Sequence, residues 1–131
     1  MKVRRSNRLV DMTRYLLDHP RELVSLKFFG QRYESAKSSI SEDLSIIRNT
    51  VERWGVGRLE TLPGASGGAR LTPLYSKDNA QTVIDQLVKA VDDESRLLPG
   101  GYVYLSDLLG RPDILRKVGR LIATQYIDQD V

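Results

Sequence analysis

One apolar stripe in the first half of the chain constrains the fold more than any other sequence feature. Five large apolar residues recur at the alternating three- and four-residue spacing of a helix with one buried face. They are Ile40, Leu44, Ile47, Val51 and Trp54. Because such a helix must cover its stripe, the chain is expected to build a core around it. The opposite face carries Ser35, Ser38, Glu42, Ser45 and Asn49.

The two ends of this helix can be predicted from neighbouring residues. Gly55 is expected to end it, because glycine readily adopts the left-handed backbone that follows many helices. At the start, Ser39 and Glu42 have the spacing of a capping box, and Ser35 is an equally good N-cap one turn earlier. The sequence leaves open whether Glu42 caps the helix or contacts a ligand.

The first two turns of this helix are rich in hydroxyl groups. Free backbone N–H groups and partial positive charge at a helix start suit contacts with phosphates or bases. The candidate DNA-binding residues here are Ser35, Lys37, Ser38, Ser39, Ser41 and Glu42. Lys37 is expected to contact phosphate, whereas Glu42 would accept a hydrogen bond from a cytosine amine. Serine-rich starts are also common simply because serine caps helices.

The flanking segments predict a helix-turn-helix unit followed by a wing. One helix is expected over about 6–18, and a second from Leu26 to about Glu34 with Ser25 as its cap. After Gly55, two alternating segments around a glycine-rich turn predict a β-hairpin. This order is typical of a winged helix, with the recognition helix at 36–54 and the wing at 57–74.

Charge is unevenly distributed along the chain. Residues 1–74 hold 13 Lys/Arg against 8 Asp/Glu, whereas residues 75–131 hold 7 against 9. A basic first half is typical of nucleic-acid-binding proteins. The residues expected to meet the DNA backbone are Arg4, Arg5, Arg8 and Arg70, with Gly67 and Gly68 giving the wing a close approach. The alternative for the arginines is a solvated basic terminus. The glycines can also serve to close the hairpin, which does not exclude an approach to DNA.

Several kinds of site are not expected. The chain has no run of about 18 apolar residues, so we expect no membrane span and a cytoplasmic location. It has no cysteine, which excludes disulfides and thiolate metal sites. His19 is the only histidine, and neither a cysteine nor a serine nucleophile accompanies it, so no catalytic residue is expected.

Residues 75–131 have a different character. We expect a helix capped by Asp78, a β-prone segment at 102–105, and a last helix that starts near Pro112. These elements do not close the core of an α/β domain. The segment is therefore expected to be the beginning of a larger domain or an oligomerisation element.

Four blocks of sequence, in order, resemble the purine operon repressor family of Gram-positive bacteria. They are Arg4-Arg5-Ser6 with Arg8-Leu9-Val10-Asp11, residues 33–44, Pro63-Gly64-Ala65 with Gly67-Gly68, and residues 98–105. The resemblance implies an α+β architecture. A winged-helix domain of three helices and a hairpin at 1–74 would precede, at 75–131, the N-terminal part of a phosphoribosyltransferase-like regulatory domain. It also implies a homodimer that represses purine genes by binding operator boxes in double-stranded DNA.

The resemblance further implies an effector site, not a catalytic one, in the second domain. Family members would bind phosphoribosyl pyrophosphate or a guanine nucleotide there. The family's acidic pyrophosphate loop has no counterpart in these 131 residues, so no cofactor is expected in this chain, and only Tyr102 is flagged for effector contact. The alternatives are a fragment of a purine phosphoribosyltransferase enzyme and a winged-helix protein-interaction module.

Overall fold

The first part of the chain folds into three helices and a small antiparallel sheet. A computed structural model describes residues 2–129 and divides the chain into two units, Met1–Pro73 and Leu74–Val131. The elements of the first unit are α1 (Arg5–Asp18), β1 (Val24–Ser25), α2 (Leu26–Tyr33), α3 (Lys37–Arg53), β2 (Gly57–Leu62) and β3 (Gly68–Pro73). Helix, turn, helix and hairpin follow one another as the winged-helix prediction requires.

Helix α3 packs along its stripe into the core of this unit. Ile40, Leu44, Ile47 and Val51 are all buried, as predicted. Their neighbours in the core include Met12 and Leu16 of α1, Phe29 of α2, and Leu59 and Leu71 of the hairpin. The core therefore fixes one face of α3 and leaves the opposite face outside.

Trp54 does not join the stripe, so its predicted place in the core is wrong. Its side chain is 70% exposed, and the guanidinium of Arg53 lies 5.8 Å from its ring centre. The helix ends at Arg53, and the chain then turns at Gly55, whose φ is 65°. Trp54 is the last residue before that turn, so it no longer follows the helical repeat.

The predicted caps are correct for α2 but wrong for α3. The hydroxyl of Ser25 accepts a hydrogen bond from the N–H of Phe28 at 3.0 Å. Helix α3 has Ala36 at its N-cap and no side-chain cap bond, so neither the Ser35 cap nor the capping box of Ser39 forms. The hydroxyl of Ser35 instead donates to the carbonyl of Tyr33 at 3.1 Å.

The three strands are arranged in the order β1-β3-β2, and both pairs are antiparallel. In the hairpin, Leu59 pairs with Leu71, and Gly64 at the tip has a φ of 101°. Strand β1 pairs with the start of β3, where Ser25 lies opposite Gly68. The extended link before α2 therefore holds the hairpin at the end nearest its tip loop.

Up to residue 129, the second unit has three α-helices, a short 3-10 helix at Glu94–Arg96 and one short hairpin. Its elements are α4 (Lys77–Val91), β4 (Leu97–Leu98), β5 (Tyr102–Val103), α5 (Ser106–Leu109) and α6 (Pro112–Tyr126). Ser76, not the predicted Asp78, caps α4, because its hydroxyl accepts from the N–H of Asn79 at 3.2 Å. The buried apolar side chains of the second unit are Val83, Leu108 and Ile114. Among the helices within residues 2–129, none has the length and apolar character needed to cross a membrane.

Candidate nucleic-acid interface

The outward face of α3 presents hydrogen-bonding groups. At about 100° per residue, the side opposite the buried stripe carries Ser38, Glu42, Ser45 and Asn49, and all four are exposed. The serines and Asn49 can donate and accept hydrogen bonds, whereas Glu42 can only accept them. This face has the chemistry that reads base edges.

A groove of about 460 Å³ runs between α3 and the wing. Lys37, Ser41 and Arg48 line it from the helix, and Thr61 and Gly64 line it from the hairpin. Lys37 and Ser41, both predicted from the sequence, are exposed. One side of α3 and the wing therefore share a single open surface.

A second groove, of about 330 Å³, continues this surface past the tip of the wing. Lys27, at the start of α2, lines it together with Lys37, Gly64 and Ala65. Lys27, which is exposed, was not predicted from the sequence. Two lysines beside one wing tip make a positively charged edge that suits a phosphate backbone.

Arg48 joins α3 to the wing. Its Nε donates to the carbonyl of Leu59 at 3.1 Å, and its Nη2 donates to the hydroxyl of Thr61 at 2.5 Å. Both acceptors belong to β2, so the arginine fixes the distance between the helix and the hairpin. Arg48 was not predicted from the sequence, although it follows Lys37 and Ser41 along one helical row at spacings of four and seven.

The basic N terminus is partly structural. Arg8 is only 6% exposed, and its Nε binds the carboxylate of the fully buried Asp43. Its Nη1 donates to the hydroxyl of Ser35 at 3.1 Å. Both polar groups are therefore engaged inside the unit, and the DNA contacts expected of Arg8 and Ser35 stay predictions.

Arg5 is also directed into the protein. Its Nε donates to Oδ1 of Asp43 at 3.0 Å, and its Nη2 donates to Oε2 of Glu42 at 3.2 Å. Glu42 therefore does not serve as a helix cap, and Arg5 is not a free phosphate-binding group. Arg4 remains exposed at the start of α1, in a basic cavity that the half-buried Ser39 also lines.

The wing residues selected from the sequence are engaged with their own hairpin. Arg70 pairs with Glu60 across the two strands at 3.3 Å, on the face opposite Leu71 and hence away from the core. A Cβ on Gly68 would lie 2.1 Å from the carbonyl oxygen of Val24, and one on Gly67 would lie 2.1 Å from that of Leu62. These glycines admit the close approach of the protein's own backbone, and their expected approach to DNA stays a prediction.

Asp11 ties α1 to α2 beneath this surface. Its carboxylate accepts from Arg32 at 2.9 Å, from the Tyr33 hydroxyl at 2.7 Å and from Arg14 at 3.0 Å. The hydrogen bonds from Arg32 and Tyr33 hold the pKa of Asp11 well below its usual range. Burial and the bond to Asp11 raise the pKa of Tyr33 to about 12. Together with Asp43, this carboxylate fixes the helices that carry the interface.

Two remaining expectations concern other kinds of site. Tyr102, flagged for effector contact, lies on β5 with its side chain 72% exposed. A search of residues 2–129 finds no group of three or more His, Cys, Asp or Glu side chains arranged to hold a metal ion.

Comparison with known proteins identifies relatives of the whole chain. It is 52% identical over all 131 residues to the purine biosynthesis transcriptional repressor PurR of Bacillus subtilis (strain 168), of which it covers 46%. It is 46% identical over 131 residues to the probable purine biosynthesis transcriptional regulator PurR of Streptococcus pneumoniae serotype 4, of which it covers 48%. It is 44% identical to the purine biosynthesis transcriptional activator PurR of Lactococcus lactis subsp. lactis (strain IL1403). That match covers 98% of this chain and 48% of the relative.

The chain thus spans about half the length of the curated relatives it matches. A family model described as the N-terminal part of the bacterial purine repressor matches residues 4–73. The match ends at the boundary of the first unit, so it covers the helices and the wing described above. It agrees with the resemblance carried by the sequence blocks, and this chain belongs to the bacterial purine repressor family.

Proposed function

We propose that the chain is the DNA-reading part of a transcriptional repressor of purine biosynthesis genes. The observation that carries the proposal is the exposed start of α3, which carries Ser38 and Glu42 on its outward face. Lys37 and Ser41 of the same start line the groove beside the wing. A helix whose outer face carries hydrogen-bonding groups fits the major groove, and an adjacent hairpin reaches the backbone of the same duplex. Family membership supports purine biosynthesis as the regulated process.

The contacts divide into two classes in this proposal. Lys27, Lys37 and Arg4 hold phosphates and set the register of the protein on DNA, without reading sequence. Ser38 and Glu42 face base edges and supply specificity. Arg48 keeps the helix and the wing at the spacing that lets both bind at once.

We further propose that the whole protein is a cytoplasmic homodimer that binds paired operator boxes. One recognition helix reads only a short half-site, and a dimer doubles the sequence that is read. Residues 75–131 would begin a phosphoribosyltransferase-like domain that binds phosphoribosyl pyrophosphate or a guanine nucleotide as effector, with Tyr102 as a candidate contact. The relatives carry the names of regulators, which supports a regulatory instead of an enzymatic role. Because one relative is named an activator, the DNA-reading surface alone does not set the direction of regulation.

The proposal is tested by titrating the 131-residue chain against two fluorescent duplexes, a purine-gene promoter and a scrambled version of equal composition. We expect tighter binding to the promoter. With the three phosphate contacts of Arg4, Lys27 and Lys37, binding to both duplexes should weaken about 40-fold between 50 and 200 mM salt. A protein-interaction module would show neither the preference nor the salt dependence. Incubation with a purine and phosphoribosyl pyrophosphate, followed by chromatography, tests the enzyme alternative, and turnover would contradict our proposal.

A further inference from the structure

Arg5 forms the middle of a chain of charges that runs from the core to the outer face of α3. Its Nε binds Asp43 and its Nη2 binds Glu42, at 3.0 and 3.2 Å. Asp43 is fully buried and also binds Arg8, so the inner end of this chain is fixed in place. The side chain of Arg5 is half exposed and spans from that fixed point to the surface.

Glu42 lies at the outer end of the same chain of charges. Its side chain is 69% exposed and shares the outward face of α3 with Ser38 and Ser45. The bond from Arg5 engages Oε2, whereas Oε1 of the same carboxylate accepts no hydrogen bond from residues 2–129. One oxygen is therefore held while the other is open on the face that would meet base edges.

An unpaired carboxylate on a DNA-binding face would be repelled by nearby phosphates. The guanidinium of Arg5 offsets this charge through a charge-assisted hydrogen bond. It also restricts the rotamers of Glu42 before any ligand binds, which lowers the entropy lost on contact. Arg5 thus reduces the repulsion between the Glu42 carboxylate and DNA, and it fixes the direction of that carboxylate.

The acceptor that remains open has a preferred partner among the bases. Guanine presents two acceptors in the major groove, and thymine presents an acceptor and a methyl group, so neither suits a carboxylate. Adenine offers an amine next to its N7 acceptor, whereas cytosine offers its N4 amine as a donor without an adjacent ring acceptor. A carboxylate in this position therefore selects cytosine.

We infer that Arg5 is a positioning residue for base recognition, and that the pair Arg5–Glu42 selects one cytosine through its N4 amine. The inference rests on the proposed function, because it requires the outward face of α3 to lie in the major groove. It changes the expected role of Arg5 from holding phosphate to setting specificity.

The test is selection from a library of duplexes with a randomised central stretch, using the 131-residue chain, followed by sequencing. The wild type should enrich a cytosine at one position by about tenfold. Glu42→Gln should shift that position toward adenine, because glutamine pairs with the N6 and N7 groups of adenine. Arg5→Met should flatten the same position and leave the preferences at the others unchanged.

Arg14→Met is the matched control. Arg14 lies on the same helix as Arg5. Its replacement by methionine removes the same charge as Arg5→Met and breaks exposed pairs with Asp11 and Asp18. It should keep the cytosine preference. Retention of that preference in Arg5→Met would overturn the positioning role, and an unchanged profile in Glu42→Gln would overturn the base contact.

A second measurement needs no variant protein. The selected cytosine is replaced by 2-pyrimidinone, which lacks the N4 amine, and the wild type is titrated with both duplexes. We expect about tenfold weaker binding to the modified duplex, and equal affinity would overturn the inference. If the wild type selects no sequence at all, the proposed function itself fails. If it selects a sequence without this cytosine, only the inference fails.

Discussion

Arg8 of α1 and Asp43 of α3 form an ion pair in the interior of the first unit. The Asp43 side chain is fully buried, and that of Arg8 is 7% exposed. The pair joins α1 to α3 at the level of the second turn of α3. Since neither charge is well solvated, each depends on the other to offset the cost of burial.

Replacing Asp43 by asparagine should strongly destabilise the fold. The change keeps the shape but leaves the Arg8 guanidinium buried without its counter-charge. We expect the free energy of unfolding to fall by about 3–5 kcal/mol, measured by urea denaturation followed by circular dichroism. The control is Asp113→Asn, which breaks an exposed pair with Arg111 and should change little. If both variants lowered the free energy of unfolding equally, burial of the Arg8–Asp43 pair would not explain the loss.

The ionised form of Asp11 should stabilise the protein in a pH-dependent way. Hydrogen bonds from Arg32, Tyr33 and Arg14 lower the pKa of Asp11 in the folded state. This contribution is therefore fully present above the unfolded pKa of about 4 and is lost as the pH falls toward the lower folded value. Asp11→Asn should destabilise the protein at pH 7, and the difference from wild type should shrink by pH 3.

Urea denaturation of the wild type and Asp11→Asn at pH 7, 5 and 3 measures this difference. Asp18→Asn, on the same helix with one exposed arginine partner, should show a smaller difference at pH 7. A difference for Asp11→Asn that stays constant over the three pH values would show that its carboxylate charge is not responsible.

Gly68→Ala should disrupt the pairing of β3 with β1, next to the tip loop of the wing. The added Cβ would lie 2.1 Å from the carbonyl oxygen of Val24, which is backbone and cannot rotate away. We expect a loss of about 1–3 kcal/mol in the free energy of unfolding. Gly119→Ala, in α6, is the control. The added Cβ would meet nothing within 4 Å, and alanine is more favourable than glycine inside a helix. Stability equal to wild type in Gly68→Ala would contradict the close approach.

Lys37 and Ser38 should affect DNA binding in different ways. Lys37→Ala should weaken binding to all duplexes alike and reduce the salt slope by about one, because it removes a phosphate contact. Ser38→Ala should instead change the preference among sites. Fluorescence anisotropy measures both, with Lys89→Ala of α4 as the charge control. If replacing Lys37, Ser38 and Ser39 together left affinity within about twofold, α3 would not be the recognition helix.

The order of the elements follows from local sequence patterns. The stripe from Ile40 to Val51 predicts α3, and the alternation on either side of the glycine-rich turn predicts the hairpin, because both patterns depend on residues close in sequence. The cap of α2 at Ser25 is local in the same sense. Trp54 was misplaced because its spacing continues the stripe, while the turn at Gly55 redirects the chain.

The partners of the arginines could not be predicted in the same way. An arginine binds a carboxylate or a phosphate with the same geometry, so sequence alone gives Arg8 two roles. Its carboxylate partner, Asp43, lies 35 residues away, and only the packing of α1 on α3 brings them together. Arg48 was missed for the corresponding reason, since its acceptors belong to a strand that follows the helix.

Strand β1 has a consequence for how this protein can change. Val24 and Ser25 pair with the first residues of β3, and Ser25 also caps α2. The strand end nearest the tip loop is thus anchored to the segment that leads into α2, whereas residues 63–67 only connect two paired strands. Insertions or deletions in that loop would alter the reach of the wing and keep its strands in register. Evolution can therefore change the length of the wing tip without rebuilding α3.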